Sequence, residues 1–169
     1  SRGLGDVYKR QVFRGDKLSG AGTPEELRRA ADVVLVEADG AKRLPLKAPA
    51  EYEPVIPPCA DAVAAVAGMD AVGQAVGAVC HRPERVCALL GAGAEHVLTP
   101  EDVALLLANP QGGRKGVGEA MAFRCVLNKA DTPERAAHAS AVAGRLAERG
   151  IHSAITYYRE EERGGLCWF

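Results

Sequence analysis

The chain has 169 residues, of which 47% are hydrophobic and 25% are charged, and its formal net charge is −1. This composition is ordinary for a globular domain, and the lack of a long basic run argues against a nucleic-acid-binding surface. No apolar stretch is long enough to span a bilayer, and no signal-type segment is present. We therefore expect a cytoplasmic protein with neither nucleic-acid nor membrane partners.

Residues 1–11 show neither helical nor strand periodicity. They resemble a translated sequencing-adapter scar, and such segments are excluded from fold reasoning. We expect a non-native leader at 1–11 and one partial nucleotide-binding-type α/β domain at 12–169, which would be the back portion of a longer protein.

The first predicted elements are a connector, a helix and a buried strand. Residues 12–22 are polar and glycine-rich, which indicates a connector, and residues 23–26 (Thr-Pro-Glu-Glu) are typical of a capped helix start. Residues 33–36 (Val-Val-Leu-Val) predict a strand buried on both faces of a parallel sheet. Glu37 and Asp39 follow at the carboxyl edge, where open α/β sheets bind ligands. The alternative is a core strand that runs into a polar turn.

The rest of the chain alternates between predicted strands and helices. Residues 41–58 contain five prolines and predict a long loop over the carboxyl edge of the sheet. Residues 62–68 predict a strand, with a helix as the alternative. The later predicted elements are helices at 83–90, 100–108 and 133–149, and strands at 121–127 and 151–158. This order predicts an α/β fold with a mainly parallel, doubly wound sheet.

An Asn-Lys-x-Asp element follows the predicted strand 121–127 directly. At a strand end, this element is the guanine-recognition loop of GTPases. The Asp131 carboxylate can accept hydrogen bonds from the ring N–H and the amine of guanine, whereas adenine would leave it unpaired. The Lys129 stem can lie along the base plane, and Asn128 can hold the loop. The alternative is that Asp131 helps to cap the next helix beside Thr132.

The candidate phosphate side of the site follows the strand predicted at 33–36. An acidic residue at a strand end is where a nucleotidase holds Mg²⁺, so Glu37 and Asp39 are the candidate metal ligands and catalytic residues. Lys42, Arg43 and Lys47 would neutralise phosphate or an anionic substrate. For each of these bases, the alternative is a solvated loop charge.

One expected part of a nucleotidase is absent from the sequence. The phosphate-binding pattern G-x-x-x-x-G-K-[ST] does not occur, and the glycine-rich segments 91–94 and 112–116 are predicted to be turns. We expect Mg²⁺ and GTP (or ATP) in the full-length protein. We also expect this fragment to be inactive, because its first strand, loop and helix are missing.

The run from Glu37 to Pro49, continued by residues 53–57, resembles the selenium-dependent hydroxylase accessory protein family called YqeC. Shorter family-like segments follow in the same order at 68–73, 81–84, 99–102 and 127–131. The resemblance implies a P-loop NTPase-like fold and a role in maturing a selenium-dependent molybdenum hydroxylase. It also adds His81 and Arg82, from the segment His-Arg-Pro-Glu, to the candidate phosphate or anion ligands.

The leading hypothesis is thus a GTP-dependent accessory factor whose partners are the nucleotide and the hydroxylase or its cofactor. One alternative is a nucleotide-using transferase that acts on selenium or on the molybdenum cofactor. The other is a non-catalytic chaperone that docks the apo-hydroxylase.

Overall fold

The computed structural model describes residues 12–14, 17–19, 22–158 and 165–168. Its contacts divide the chain into two compact units. One unit extends to Glu37 and includes Pro57–Cys59, and the other comprises Ala38–Ile56 and continues from Ala60. We describe each unit by itself. The leader predicted at 1–11 lies outside the described residues, and the single domain over 12–169 stays a prediction.

The first unit contains an antiparallel pair of strands and a capped helix. Strand β1 (Val12–Arg14) pairs antiparallel with β2 (Lys17–Ser19), so the prediction of a connector was wrong there. In the sequence, a Gly-Asp pair between two short segments favours antiparallel pairing, and the glycine-rich composition obscured this signal. Helix α1 (Pro24–Ala30) confirms the predicted start, with Thr23 and Glu26 forming a reciprocal capping box. Each side chain accepts a hydrogen bond from the backbone N–H of the other residue.

The strand predicted at 33–36 is not present, and this prediction was wrong. Residues 33–40 have no regular secondary structure, and the side chains of Val33 and Leu35 are 75% and 93% exposed. A strand needs a hydrogen-bonded neighbour, and none of the described strands pairs with this segment. Glu37 and Asp39 therefore do not stand at a strand end.

The second unit is a mixed α/β structure with parallel strands, which confirms the predicted P-loop NTPase-like fold class. Its elements in chain order are β3 (Leu46–Lys47), β4 (Ala62–Gly68), a 3₁₀ turn (Met69–Ala71), α2 (Val76–Val79), β5 (Cys80–His81), α3 (Pro83–Leu90), α4 (Pro100–Ala108), β6 (Ala122–Asn128), α5 (Pro133–Ala147), β7 (Ser153–Tyr157) and β8 (Gly165–Trp168). The main sheet has the order β4-β6-β7-β8, with β8 antiparallel to β7. Strands β3 and β5 form a separate parallel pair.

The core lies on one face of the main sheet. Buried residues of β4 and β6 pack with helices α4 and α5, and they include Ala67, Phe123, Cys125 and Leu127. Both crossovers, β4 to β6 and β6 to β7, advance in the same direction along the sheet. Right-handed crossovers in one direction put their helices on one face. Accordingly, alternate residues of β4 on the opposite face are exposed.

Residues 41–58 form the predicted loop, interrupted only by the two residues of β3. The Lys115 ammonium holds this loop by donating hydrogen bonds to the carbonyls of Ala50 and Glu51. None of the helices in the described part of the chain is both long enough and apolar enough to cross a membrane.

Candidate functional site

A group of basic side chains gathers around the β3–β5 pair. The parallel register places Lys47 opposite His81, and Arg82 follows His81 directly. Lys42 lies close enough to act electrostatically on the His81 ring. We call Lys42, Lys47, His81 and Arg82 the basic cluster. The structure thus brings together four of the five predicted phosphate or anion ligands, and the fifth, Arg43, is exposed in the same turn as Lys42.

Glu53 is the main acidic partner of the basic cluster, a role that was not predicted from the sequence. Its two carboxylate oxygens accept a bidentate pair of hydrogen bonds from Arg82 at 2.8 and 2.9 Å. The Lys47 ammonium and the Ala50 N–H also donate to Oε2, at 3.0 and 3.4 Å. Burial raises the pKa of Glu53, but the hydrogen bonds from Arg82, Lys47 and Ala50 outweigh it and lower the pKa to about 2. The sequence signal for this role was an acidic residue inside a proline-rich loop that also contains Lys42, Arg43 and Lys47.

Asp39 is bound within the second unit by Lys47. Its Oδ2 atom lies 2.9 Å from the Lys47 ammonium, which also donates to the Gly40 carbonyl at 3.0 Å. Glu37 is exposed and belongs to the first unit, so its relation to Asp39 is not described. No group of three or more potential metal-ligating residues occurs among the described side chains. Since a paired ammonium already occupies one Asp39 oxygen and repels cations, this arrangement does not fit Mg²⁺.

The electrostatic surroundings of His81 favour a neutral imidazole. Burial, together with the charges of Arg82, Lys42 and Lys47, lowers the pKa of His81. A bound anion would offset these positive charges and so stabilise the protonated ring. The neighbouring Cys80 does not offer a thiolate, because burial, with a smaller effect from Cys87, raises its pKa to about 11.

Strained backbone coincides with the predicted site residues. Four non-glycine residues of the described chain have positive φ, namely Lys42 (50°), Arg43 (65°), Arg82 (59°) and Lys129 (62°). Each such conformation costs about 1–3 kcal/mol and persists where the surrounding structure enforces it, which happens often at ligand sites. All four are long cationic side chains that the sequence had indicated as candidate ligands.

The Asn-Lys-x-Asp loop begins on the last residue of β6. The Asn128 side-chain oxygen accepts hydrogen bonds from the Lys129 N–H at 2.8 Å and from the Thr156 hydroxyl at 2.9 Å. The Lys129 ammonium lies 2.7 Å from Oδ2 of Asp70, just beyond the end of β4. The loop is therefore held from both neighbouring strands of the sheet. Asp70 is a second residue that was not predicted, because nothing nearby in the sequence indicates its partner.

Asp131 does not cap the following helix. That role belongs to Thr132, whose hydroxyl accepts a hydrogen bond from the Arg135 N–H at 3.2 Å. The Asp131 carboxylate instead accepts a hydrogen bond from the Tyr158 N–H at 2.8 Å, and its other oxygen lies 3.9 Å from Arg135. Each carboxylate oxygen has two lone pairs, so Asp131 keeps acceptor capacity for a base edge.

The proline-rich loop and the Asn-Lys-x-Asp loop both contact the carboxyl end of β4. The Gly68 N–H donates a hydrogen bond to the Pro45 carbonyl at 2.8 Å, which ties the start of the proline-rich loop to this strand end. A Cβ atom on Gly68 would collide with Asp70 Oδ1 and would lie 2.8 Å from the Pro45 Cβ. The Asp70 Oδ1 atom is buried and has no hydrogen-bond partner in the described structure.

The two glycine-rich segments are turns, as predicted. Gly91 ends α3 with a φ of 65°. Gly113 lies against the last turn of α4, where its N–H donates to the Leu106 carbonyl at 2.9 Å. Lys115 donates hydrogen bonds to the carbonyls of Ala50 and Glu51 in the proline-rich loop.

Comparison with known proteins agrees with the resemblance found in the sequence. Residues 6–84 match the family described as YqeC protein. A curated relative, the uncharacterized protein YqeC of Escherichia coli (strain K12), is 31% identical over 137 residues. The chain belongs to the YqeC family. The alignment covers 78% of this chain and 54% of the relative, so the chain spans about half the length of that protein. No solved structure matches the chain.

Within this YqeC-family chain, the matched region contains the proline-rich loop, Glu53 and the whole basic cluster. The Asn-Lys-x-Asp loop lies beyond residue 84 and therefore outside the region matched by the family. The basic cluster is thus the part of the site that the family match includes.

Proposed function

We propose that this chain is the nucleotide-binding part of a cytoplasmic accessory factor that matures a selenium-dependent molybdenum hydroxylase, with GTP as its nucleotide. One observation carries the proposal. The Asn-Lys-x-Asp loop and the loop that carries Lys42 and Lys47 both contact the carboxyl end of β4, because Lys129 pairs with Asp70 and the Pro45 carbonyl accepts from the Gly68 N–H. This edge carries the carboxyl ends of parallel strands, where open α/β sheets bind ligands.

The Asn-Lys-x-Asp loop would bind the base. The Asp131 carboxylate would accept hydrogen bonds from the two adjacent donors of guanine, and Lys129 would cover one face of the ring. The contacts of Asn128 with Thr156 and of Lys129 with Asp70 support this role, because they hold the loop before a ligand arrives. Such preorganisation reduces the ordering cost of binding.

The basic cluster would bind an anion, either a phosphate of the nucleotide or an anionic substrate such as selenide or a molybdopterin phosphate. Glu53 orients the Arg82 guanidinium through two hydrogen bonds, so less side-chain entropy is lost when an anion binds. Lys42 is exposed in its turn and contributes a further positive charge near His81. Because the surroundings of Asp39 do not fit Mg²⁺, we assign no step to a metal.

The assignment to hydroxylase maturation is supported by the family-specific run from Glu37 to Pro57. A transferase acting on selenium or on the molybdenum cofactor would use the same basic cluster. A non-catalytic chaperone would need no base recognition, so nucleotide binding separates that alternative from the proposal.

The test measures the affinity of the full-length protein for GTP, ATP and xanthosine triphosphate, with and without Asp131→Asn. The substitution keeps an oxygen that can accept from the Tyr158 N–H, so the loop stays in place. We expect GTP affinity to fall at least about tenfold, because the amide N–H of asparagine replaces an oxygen that would accept from guanine. We expect xanthosine triphosphate affinity to rise, because xanthine has an accepting carbonyl where guanine has its amine. Glu134→Gln, an exposed carboxylate on the first turn of α5, is the matched control.

An unchanged preference in Asp131→Asn would refute guanine recognition by this loop. Failure of the full-length wild-type protein to bind any of the three nucleotides would favour the chaperone.

A further inference from the structure

The Lys47 ammonium lies among three oxygen atoms. It donates hydrogen bonds to the Gly40 carbonyl and to Oε2 of Glu53, each at 3.0 Å, and Oδ2 of Asp39 lies 2.9 Å away. An ammonium group has three N–H donors and no acceptor, so these three oxygens match its capacity. An anion that contacts Lys47 must therefore replace one of them.

Asp39 is the most readily replaced of the three partners. Its contact with Lys47 is an ion pair, and within the described part of the chain its carboxylate has no other hydrogen bond or ion pair. Glu53, in contrast, also binds the Arg82 guanidinium through two hydrogen bonds and accepts from the Ala50 N–H. The Gly40 oxygen belongs to the backbone and cannot move by side-chain rotation. The Asp39 side chain is also more exposed than that of Glu53, at 25% against 15%.

The backbone on both sides of Asp39 is held independently of its side chain. The Ala38 carbonyl accepts from the Val55 N–H at 3.0 Å, and the Gly40 carbonyl accepts from Lys47. Both neighbours of Asp39 are thus tied to the proline-rich loop. Displacement of the carboxylate therefore requires only rotation about the side-chain torsions of Asp39, toward the solvent that already reaches it.

We propose that Asp39 is an internal competitor for the anion at Lys47, which the bound anion displaces, and that the site consequently selects doubly charged oxyanions such as phosphate. The inference rests on the anion-binding half of the proposed function and is independent of guanine recognition. It gives Asp39 a role that agrees with the poor fit of its surroundings to Mg²⁺.

The charges of the basic cluster explain the selection of a dianion. Once Asp39 has left Lys47, the Glu53 carboxylate is the remaining partner of three cations, Lys42, Lys47 and Arg82, which leaves an excess of two positive charges. A doubly charged oxyanion matches this excess, and its several acceptor oxygens can bind more than one of these cations.

A singly charged carboxylate gains no such advantage. Acetate offers Lys47 the same chemical group as Asp39. It must also compete with a side chain that is tethered beside the ammonium and so has a high effective concentration there. We therefore expect the tethered carboxylate to exclude monoanions and to yield to dianions.

The alternative is that Asp39 positions the Lys47 ammonium for the anion. In that case, removing the Asp39 charge would weaken anion binding, because the ammonium would lose the contact that orients it. Removing an internal competitor has the opposite effect and strengthens binding. The two roles of Asp39 therefore predict affinity changes of opposite sign.

The test measures the affinity of the full-length protein for inorganic phosphate, sulfate and acetate by calorimetry at constant ionic strength. We expect Asp39→Asn to tighten phosphate and sulfate binding about fivefold, the size of a partly exposed ion pair. Glu51→Gln removes the same charge from a 92% exposed side chain of the same loop and should change the affinity less than about twofold. The wild type should bind acetate at least about tenfold more weakly than sulfate.

Weaker binding in Asp39→Asn, or equal changes in Asp39→Asn and Glu51→Gln, would overturn the internal competitor. Equal affinities of the wild type for acetate and sulfate would overturn the selection of dianions. These results would leave the anion site of the proposed function in place. If neither the wild type nor Asp39→Asn binds phosphate or sulfate, the anion site and the internal competitor are overturned together.

A second measurement uses the wild-type protein and so does not depend on the folding of a variant. The carboxyl carbon resonances of Asp39 and Glu53 are followed by NMR while phosphate is added. The Asp39 resonance should shift as the site fills, because its carboxylate loses the ammonium partner, whereas Glu53 keeps Arg82 and should shift less. The Val55 amide resonance should stay in place, since its hydrogen bond to Ala38 is retained. An Asp39 resonance that does not move at saturating phosphate would contradict the displacement.

Discussion

Lys129 and Asp70 form an ion pair of 2.7 Å that joins the ends of two adjacent parallel strands. Asp70 follows β4, and Lys129 follows β6, so the pair closes the carboxyl edge of the sheet between them. Lys129 itself has a positive φ of 62°. The ion pair thus contributes to holding the predicted base-recognition loop in a strained conformation.

The stabilising effect of this pair is expected to be small. Both side chains are partly exposed, and ion pairs of this kind contribute no more than about 1 kcal/mol. A double-mutant cycle of Asp70→Ala and Lys129→Ala, followed by urea unfolding, should give a coupling energy below about 1 kcal/mol. Combining Lys129→Ala with Glu95→Ala, an exposed carboxylate, should give additive effects. A coupling of several kcal/mol would mean that the pair is structurally essential.

Glu53 is expected to make stability depend on pH in the acid range. Its pKa is about 2 in the folded protein and 4.5 for an unperturbed glutamate, so its contribution is complete above about pH 4.5 and is lost as the pH falls toward 2. The side chain is 15% exposed, and we expect Glu53→Gln to cost on the order of 2–3 kcal/mol at neutral pH. The measurement is the free energy of unfolding between pH 2 and 7, in which the variant should show a flatter curve.

The matched control for Glu53 is Glu51→Gln in the same loop. The Glu51 side chain is 92% exposed, and its contact with Arg85 is long, at 3.7 Å. Its substitution should leave the pH dependence unchanged. Equal curves for the wild type and Glu53→Gln would show that the contacts of Glu53 with Arg82 and Lys47 contribute nothing to stability.

His81 is expected to report directly on anion binding. Inorganic phosphate bound at the basic cluster should raise the pKa of His81, since the anion offsets the charges that lower it. Imidazole resonances followed by NMR during a pH titration give this pKa, and the exposed His152 is the control ring. The variant Lys42→Asn should weaken the response while keeping the fold, because asparagine tolerates positive φ. A His81 pKa that does not respond to phosphate would argue against an anion site here.

Gly68 is expected to tolerate no side chain. Because a Cβ atom would collide with Asp70 Oδ1 and press on Pro45, Gly68→Ala should destabilise the protein by roughly 1–3 kcal/mol. Gly144→Ala on α5 meets no neighbouring atom and should be neutral or stabilising by about 1 kcal/mol. Thermal unfolding of both variants gives the comparison. A stable Gly68→Ala protein would indicate that the strand end can move away from the loop.

Where short-range contacts decide the structure, the sequence predicted it well. The helix starts at Thr23, Thr99 and Thr132 are all confirmed, because each threonine caps an N–H only three residues away. The strands predicted at 62–68 and 121–127 are also confirmed, the second with its bounds shifted by one residue. The two strands pair with each other in the main sheet, so each apolar segment has the hydrogen-bonded neighbour that a strand requires.

The tertiary structure alone decided whether the apolar run at 33–36 became a strand. It also decided which charged side chains form ion pairs with one another. That run matches the strand pattern, yet pairing requires a neighbour that its own residues cannot provide. The partners of the candidate ligands are equally distant in sequence, since Glu53 binds Arg82 29 residues away and Lys129 binds Asp70 59 residues away. The sequence therefore determined which charged residues were available and which helices begin where. The tertiary structure determined the partners of these charged residues, because only the folded backbone brings distant side chains within hydrogen-bonding distance.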